Sequence, residues 1–148
     1  MESSIYKQLV NVRWADLDPN FHVRHSVYYD WGAALRMQYL SENGLTTGSM
    51  MKLGIGPIIF REECVFRREI RMDDQVEINV KILKSRRDHS RWTLQHEIYK
   101  NGDTLAAIIT LDGAWMDVRQ RKLAIPPAEA IAVFDKMPKN EAFEWNEK

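Results

Sequence analysis

Residues 14–23, which read WADLDPNFHV, and the segment that follows them indicate the fold more directly than any other part of the chain. Residues 8–15 alternate loosely between polar and apolar and predict a strand that ends at the turn-prone DLDPN. From Ser26 to about Asn43 apolar residues recur at three- and four-residue spacing, which predicts a helix with one apolar face. Gly44 follows directly and favours the left-handed backbone that ends helices.

The remainder of the chain predicts an antiparallel sheet. A loose, glycine-containing stretch precedes it at residues 46–57, and a short helix is expected around residues 128–135. The final segment, KNEAFEWNEK, is expected to be a frayed or partner-docked tail. The predicted strands cover residues 58–70, 76–82, 91–99 and 104–118, with turns at 72–74 and 101–102. The last strand is apolar on both faces, which is typical of a central strand in an α+β architecture.

Length, charge and composition exclude several classes of function. The 148 residues predict one domain. The 21 basic and 21 acidic side chains balance, so no net field would recruit nucleic acid or an acidic membrane surface. No apolar run approaches the ~20 residues of a spanning helix, and the start of the chain lacks a secretory layout, so a cytoplasmic location is expected. The lone Cys64 and the absence of spacing such as H-E-x-x-H predict neither a metal nor a cofactor.

The polar residues of segment 14–23 have two interpretations. Asp18 could act as a base, with Asn20 and His22 as positioning donor and proton shuttle. The helix start would then offer unsatisfied backbone N–H groups to a developing oxyanion. Alternatively, Asp and Asn before a helix are caps and turn formers, and Pro19 fits a turn. The residues by themselves leave both interpretations open, whereas Asp16 is more simply a turn or cap residue.

The stretch D-L-D-P-N-F-H-V at residues 16–23, followed by an aromatic-rich helix, resembles the opening of the hot-dog-fold thioesterases. It is similar to the 4-hydroxybenzoyl-CoA thioesterase family, with its D-x-D-P, and to the plant acyl-ACP thioesterases. The latter carry W-x-D-L-D-x-N-x-H-V and a downstream R-x-E-C, which reads REEC at residues 61–64 here. The resemblance covers nearly the whole chain, so residues 1–148 are expected to form a single hot-dog domain.

The resemblance implies a fold, an activity and an assembly. The fold is a long antiparallel β-sheet wrapped around a central α-helix. The activity is hydrolysis of an acyl thioester of coenzyme A or of an acyl carrier protein. The assembly is a homodimer or homotetramer in which the pocket forms between two subunits, because a lone hot-dog sheet leaves its edge strand unpaired.

Individual residues carry over from the families onto matching positions. Asp18 would be the catalytic carboxylate, either attacking the thioester carbonyl or activating a water. Asn20 and His22 match an amide and an imidazole that position substrate and water, and Glu63 matches an accessory carboxylate. His25 falls where the hydroxybenzoyl-CoA branch uses a backbone N–H at the helix start to polarise the thioester carbonyl.

The chain also departs from the family pattern. Many relatives read G-H-V-N-N or G-H-V-N-H, whereas here Phe21 replaces the glycine and Arg24-His25 replace the amide pair. Phe21 could narrow the pocket or alter the loop. Arg24 would place a cation near Asp18, which favours the ionised carboxylate or an anionic substrate. These departures keep open a non-catalytic hot-dog protein that binds acyl thioesters or carriers. A hydratase or dehydratase is disfavoured because those relatives use a catalytic histidine.

Further candidates lie outside the motif. Arg86 and Arg87 flank the RRDHSR turn, where they form either a solvated hairpin tip or a surface for the phosphates of the substrate. His89, in the same turn, is expected to be exposed to solvent, and His96 is expected to be a packed or interface histidine. Glu62 alternates with apolar residues, so it is expected either in the core or at a subunit seam.

Overall fold

The computed structural model describes residues 5–146, in which eight strands form one sheet beside three α-helices and a short 3-10 helix. In chain order the elements are β1 (Lys7–Val10), the 3-10 helix (Trp14–Asp16), α1 (His25–Glu42), α2 (Thr47–Leu53), β2 (Ile55–Phe66), β3 (Val76–Asn79), β4 (Lys81–Ser85), β5 (Arg91–Lys100), β6 (Thr104–Asp117), β7 (Lys122–Leu123), α3 (Ala128–Lys136) and β8 (Lys139–Trp145).

The sheet is built around β6, which pairs antiparallel with β2 on one side and with β5 on the other. The prediction of a central strand at this point is therefore confirmed. β3 and β4 both pair with β5, since they are successive parts of one strand interrupted at Val80. β1 extends the sheet beyond β3, and β8 pairs with β4 in parallel. Among the described residues β2 has β6 as its only strand partner, so β2 forms an edge.

The core lies between α1 and the inner face of the sheet. α1 buries one stripe of side chains that includes Val27, Leu35 and Tyr39, as its spacing predicts. On β5 the residues from Trp92 onward alternate between buried and half-buried, so one face of the strand meets the helix. Each large apolar side chain buried in this way contributes about 1.5–3 kcal/mol. The sheet therefore wraps around a central helix, and the predicted α+β hot-dog fold is confirmed.

α3 covers the end of the core that α1 leaves open. Phe134 of α3 packs against Trp92 and Trp115, with ring centroids 5.3 and 5.4 Å apart. Gly113 is required here because Trp92 crosses it closely: a Cβ at this position would lie 2.3 Å from Cη2 of the indole. A hydrogen bond of 2.7 Å from the Tyr39 hydroxyl to the Val133 carbonyl joins α3 to α1.

Two local predictions are wrong, and a third needs a small adjustment. The strand expected at residues 8–15 ends at Val10, because the Asp16 carboxylate accepts the Arg13 backbone N–H at 2.9 Å and bends the chain into the 3-10 helix. The stretch expected to be loose at 46–57 contains α2, which Thr46 caps and Gly54 ends with a left-handed φ of 72°. The strand expected at 76–82 is present with its apolar positions buried, but it is interrupted at Val80, between β3 and β4.

The prediction of a frayed or partner-docked tail at residues 139–148 is also wrong over most of its length. Residues 139–145 form β8, which docks on β4 of the same chain. Glu147 and Lys148 lie outside the described residues.

His89 is buried, contrary to the exposed position predicted for it; its exposed fraction is 1%. Its Nδ1 lies 2.6 Å from the Ser85 Oγ, and its Nε2 lies 2.7 Å from the Asp135 Oδ1 on α3. The Trp145 ring of β8 packs beside it, 5.7 Å away between centroids. The hairpin tip is therefore covered by the two C-terminal elements, which no local pattern in the turn predicts.

Candidate active site

An open cleft of about 430 Å³ lies at the start of α1. It is bounded by the loop before α1, the first turn of that helix and the end of β2 with the segment after it. The lining residues are Asp18, His22, Val23, His25, Tyr28, Phe66, Arg67, Arg68 and Glu69. Tyr28 and Phe66 meet edge to face at 4.9 Å, so two aromatic rings contribute to a lining that is otherwise largely polar.

Asp18 is held in place by the turn that it opens. Its Oδ1 accepts hydrogen bonds from the backbone N–H groups of Asn20, at 2.9 Å, and His22, at 3.2 Å. Two backbone bonds close the same turn: Asp18 N–H donates to the His22 carbonyl, and Phe21 N–H donates to the Asp18 carbonyl. Both side-chain bonds go to Oδ1, so Oδ2 keeps its acceptor capacity for a water or a substrate atom.

His22 has a partner that sequence reasoning missed. Its Nε2 contacts the Glu69 carboxylate, which also lies 3.8 Å from the Arg71 guanidinium. An isolated β-bridge between His22 and Arg71 brings the two segments together. Glu69 stands in a non-periodic stretch after β2, so no pattern in the sequence places it near the motif.

The first turn of α1 faces the cleft at His25. No side chain caps this helix start in the part of the chain that the structure describes. Backbone N–H groups at such a start favour a negative charge. His25 is exposed and lines the same cleft as Asp18. The role of its backbone N–H in polarising a thioester carbonyl stays a prediction.

Arg24 supports the loop instead of lining the cleft. Its guanidinium donates to the Ala15 carbonyl, and its backbone N–H donates to the Asp16 carbonyl at 2.9 Å. The buried Asp16 carboxylate binds Arg13 at 2.7 Å, and this hydrogen bond, with the nearby Arg13 and Arg24 charges, lowers the pKa of Asp16. The cap interpretation of Asp16 is confirmed.

Other predicted site residues lie around or away from the cleft. Asn20 contributes its backbone N–H to the Asp18 turn. Phe21 is 64% exposed, has a left-handed φ of 66° and does not line the cleft. Glu63 pairs with Arg61 at 2.7 Å on β2 and is likewise outside the cleft lining. Catalytic or substrate-binding roles for these side chains stay predictions.

The arginines of the β4–β5 turn lie at the other end of the sheet. Phe66, in the cleft, pairs with Ala107 of β6, whereas Arg91, which follows the turn, pairs with Ala114. Those seven residues of β6 span roughly 23 Å. Arg86 lines a separate depression of about 250 Å³, and Arg87 stacks over the Trp145 ring at 4.9 Å. Within one chain they do not join the cleft, and substrate contact by either one stays a prediction.

A second polar cluster is buried along α1. His96 lies 2.8 Å from the Asn79 carbonyl through Nδ1 and 2.8 Å from the Arg36 guanidinium through Nε2. Glu62 lies 3.6 Å from the same guanidinium. Burial, helped by the Arg36 charge, lowers the pKa of His96 to about 3. His96 is therefore neutral, donating through Nδ1 and accepting from Arg36, and the prediction of a packed histidine is confirmed.

The only cysteine, Cys64, is half-buried on β2. Burial raises the pKa of the Cys64 thiol to about 12, and a protonated thiol is a poor nucleophile.

Comparison with known proteins identifies the class of protein. A sequence model of the thioesterase-like superfamily matches residues 12–134, and the chain belongs to this superfamily. A search of curated protein sequences found no significant match.

Solved structures share the fold at low sequence identity. Staphylococcus aureus protein SAV2348, solved in complex with CoA, has a TM-score of 0.83 and 16% identity over 95% of this chain and 90% of that one. The 1,4-dihydroxy-2-naphthoyl-CoA thioesterase Slr0204 from Synechocystis has a TM-score of 0.78 and 16% identity over 89% and 96%. The DHNA-CoA thioesterase from Staphylococcus aureus has a TM-score of 0.72 and 20% identity over 82% and 80%.

Residues 5–146 contain neither a membrane-spanning helix nor a cluster of metal ligands. None of the helices there combines the length and apolar character needed to cross a bilayer. No group of three or more His, Cys, Asp or Glu side chains in the same range is placed to hold a metal ion. A cytoplasmic location stays a prediction.

Proposed function

We propose that this chain hydrolyses the thioester of an acyl-CoA, with Asp18 as nucleophile or general base. The observation that carries the proposal is the position of Asp18, fixed by two backbone N–H groups in an open cleft beside the start of α1. Thioester hydrolysis requires a group that delivers the attack and a site for the resulting oxyanion, and this cleft contains both a carboxylate and a helix start without a side-chain cap.

Either route uses the same residues. As a base, Asp18 takes a proton from water, the resulting hydroxide attacks the carbonyl carbon, the C–S bond breaks, and the thiolate leaves and is protonated. As a nucleophile, Asp18 forms a mixed anhydride with release of the thiolate, and water then hydrolyses the anhydride. In both, the backbone N–H of His25 would hold the carbonyl oxygen. The contact between His22 and Glu69 would orient the imidazole toward the attacking water.

Coenzyme A is favoured over a carrier protein as the thiol. One similar structure was solved with CoA, and two others are described as thioesterases of a CoA ester. The cleft also carries Arg67 and Arg68, which suit the phosphates of such a substrate.

A homodimer formed through β2 would complete the site. The edge strand β2 exposes Ile59, Phe60, Val65 and Phe66, an apolar edge of the kind that is paired or covered in stable proteins. Phe66 lines the cleft, so pairing across this edge would bring the partner subunit close to Asp18.

Asp18→Asn tests the proposal. The asparagine oxygen can still accept the two backbone hydrogen bonds, so the turn is kept while the base or nucleophile is lost. We expect kcat/KM on a panel of acyl-CoAs, followed by release of free thiol, to fall about 100- to 10,000-fold. Asp30→Asn, which alters an exposed aspartate on α1 outside the cleft lining, is the matched control and should keep wild-type turnover.

Near-normal activity of Asp18→Asn would contradict the assignment. Binding of acyl-CoA by the wild-type protein without thiol release would instead support the non-catalytic alternative, and hydration of an enoyl-CoA would support the hydratase alternative.

A further inference from the structure

A second cavity, of about 200 Å³, lies between α1, α3 and the inner face of the sheet. It is distinct from the cleft, with which it shares none of its lining residues. Its lining residues are Ala33, Arg36, Met37, Tyr39, Leu40, Pro57, Ile59, Val80, Trp92, Leu94, Phe134 and Met137.

The cavity presents no free charge to an occupant. Arg36 is the one charged lining residue, and its guanidinium is already bound to His96 and faces Glu62. The Tyr39 hydroxyl donates to the Val133 carbonyl. Of the lining side chains, all within the described residues, Trp92 alone has a buried donor without a partner, a neutral indole N–H. An uncharged, mainly aliphatic group fits this surface, and a terminal carboxylate would find no counter-charge.

The cavity and the cleft lie along the same pair of elements. α1 and β2 run side by side in opposite directions: Tyr28 meets Phe66 at the cleft, and Arg36 meets Glu62 further along. The cavity begins beside that pair, since Ala33 and Arg36 both line it, and continues past it to Pro57 and Ile59 of β2. Its exposed lining residues Met37 and Ile59 place its mouth between α1 and the edge of β2.

Helix geometry sets the distance between the two sites. Ala33 comes eight residues after His25, and Leu40 comes fifteen residues after it. At the rise of an α-helix these positions lie about 12 Å and about 22 Å from the helix start. A group attached to a thioester at the cleft must therefore be a chain, because a single ring or a short acyl group would not reach.

We propose that this cavity holds the distal part of an aliphatic acyl chain whose thioester lies at Asp18. The inference rests on the proposed thioester hydrolysis and names its substrate class: uncharged medium- or long-chain acyl thioesters, in preference to short, aromatic or dicarboxylic ones. The α3 residues Phe134 and Met137 then form part of the wall that contacts the chain.

Ala33→Phe tests this proposal, with Ala34→Phe as its matched control. Both alanines are exposed on α1, but Ala33 lines the cavity and Ala34 does not, so a phenyl ring obstructs the cavity only from the first position. We expect kcat/KM of Ala33→Phe on dodecanoyl-CoA to fall at least about tenfold, the loss for excluding two methylene groups from an apolar site. Turnover of butanoyl-CoA should be unchanged, and Ala34→Phe should match the wild type on both.

Measurements of acyl-CoA binding distinguish the cavity assignment from the proposal of thioester hydrolysis. Calorimetry of dodecanoyl-CoA and acetyl-CoA with Asp18→Asn should show tighter binding of the longer ester, lost in Asp18→Asn/Ala33→Phe. If no acyl-CoA is hydrolysed but this difference is found, the cavity assignment stands and the hydrolysis proposal fails. Three results would overturn the cavity assignment. The first is an unchanged chain-length profile in Ala33→Phe, and the second is a wild-type preference for butanoyl-CoA or an aromatic acyl-CoA. The third is a change of oligomeric state as the only effect of Ala33→Phe.

Discussion

Substitutions at Phe21 test whether the turn that holds Asp18 requires a left-handed backbone at this position. Its φ of 66° lies in the region that glycine adopts freely, and the families that the sequence resembles commonly carry glycine at this position. The Phe21 ring is 64% exposed, so its burial contributes little free energy to offset the cost of the left-handed backbone. Comparing Phe21→Gly with Phe21→Ala separates the backbone from the ring, because both variants remove the ring and only glycine removes the Cβ.

The expected difference follows from two opposing effects. A Cβ in the left-handed conformation costs about 1–2 kcal/mol, which glycine avoids. Glycine loses more backbone freedom on folding, which costs about 0.5–1 kcal/mol relative to alanine. The first effect is larger, so we expect Phe21→Gly to be more stable than Phe21→Ala by about 0.5–1 kcal/mol.

Urea unfolding at neutral pH measures this difference. The matched control is Ala34→Gly, an alanine-to-glycine exchange on the exposed side of α1, which should destabilise the protein by about 1 kcal/mol. The same exchange should therefore have opposite signs at the two positions. If Phe21→Gly is no more stable than Phe21→Ala, the left-handed turn at Asp18 is not a constraint on the folded chain.

Two further predictions concern buried histidines. The pKa of His96 is lowered to about 3 in the folded chain, so below about pH 6.5 the unfolded chain binds a proton there and the folded chain does not. The contribution of His96 to the free energy of unfolding is therefore complete above about pH 6.5 and falls by about 2 kcal/mol by pH 5. His96→Gln should reduce this dependence in urea unfolding at pH 7, 6 and 5, and an identical pH profile would refute it. His89→Ala should destabilise the protein by about 2 kcal/mol or more in thermal unfolding, since it leaves a cavity where a buried imidazole packs and removes its contacts with Ser85 and Asp135; unchanged stability would show that this contact is not needed.

The parts of the fold that could be predicted are those whose pattern lies within one continuous segment of the sequence. α1 is buried on one face, which gives apolar residues at helical spacing. β6 is buried on both faces, which gives a continuous apolar run, so both elements can be predicted from the sequence. The structure moves the start of α1 by a single residue, to His25. Asp18, His22 and His25 share one cleft because they belong to one loop and one helix turn, which the motif already joins.

The parts that could not be predicted depend on contacts between distant segments. β8 reads as a polar, acidic tail, and it becomes a strand only because β4 offers it an edge. Glu69 reaches His22 through a bridge between two irregular segments. The second cavity is lined by residues of both α1 and α3. These helices are far apart in the sequence, so their contact cannot be predicted from either segment. No periodicity within a segment records such docking.

The structure contains two histidine clusters beside α1, and their surroundings decide which one can carry chemistry. His96 is enclosed and bound on both ring nitrogens, and with a pKa of about 3 it stays neutral near pH 7. A general base needs a pKa near the working pH and access to its proton partner, so this cluster is suited to holding α1 against the sheet. His22 is partly exposed in an open cleft, and Asp18 lies in the same cleft with one carboxylate oxygen unused by the turn. Proton transfer to water or substrate is therefore possible at the helix start and not at the buried cluster.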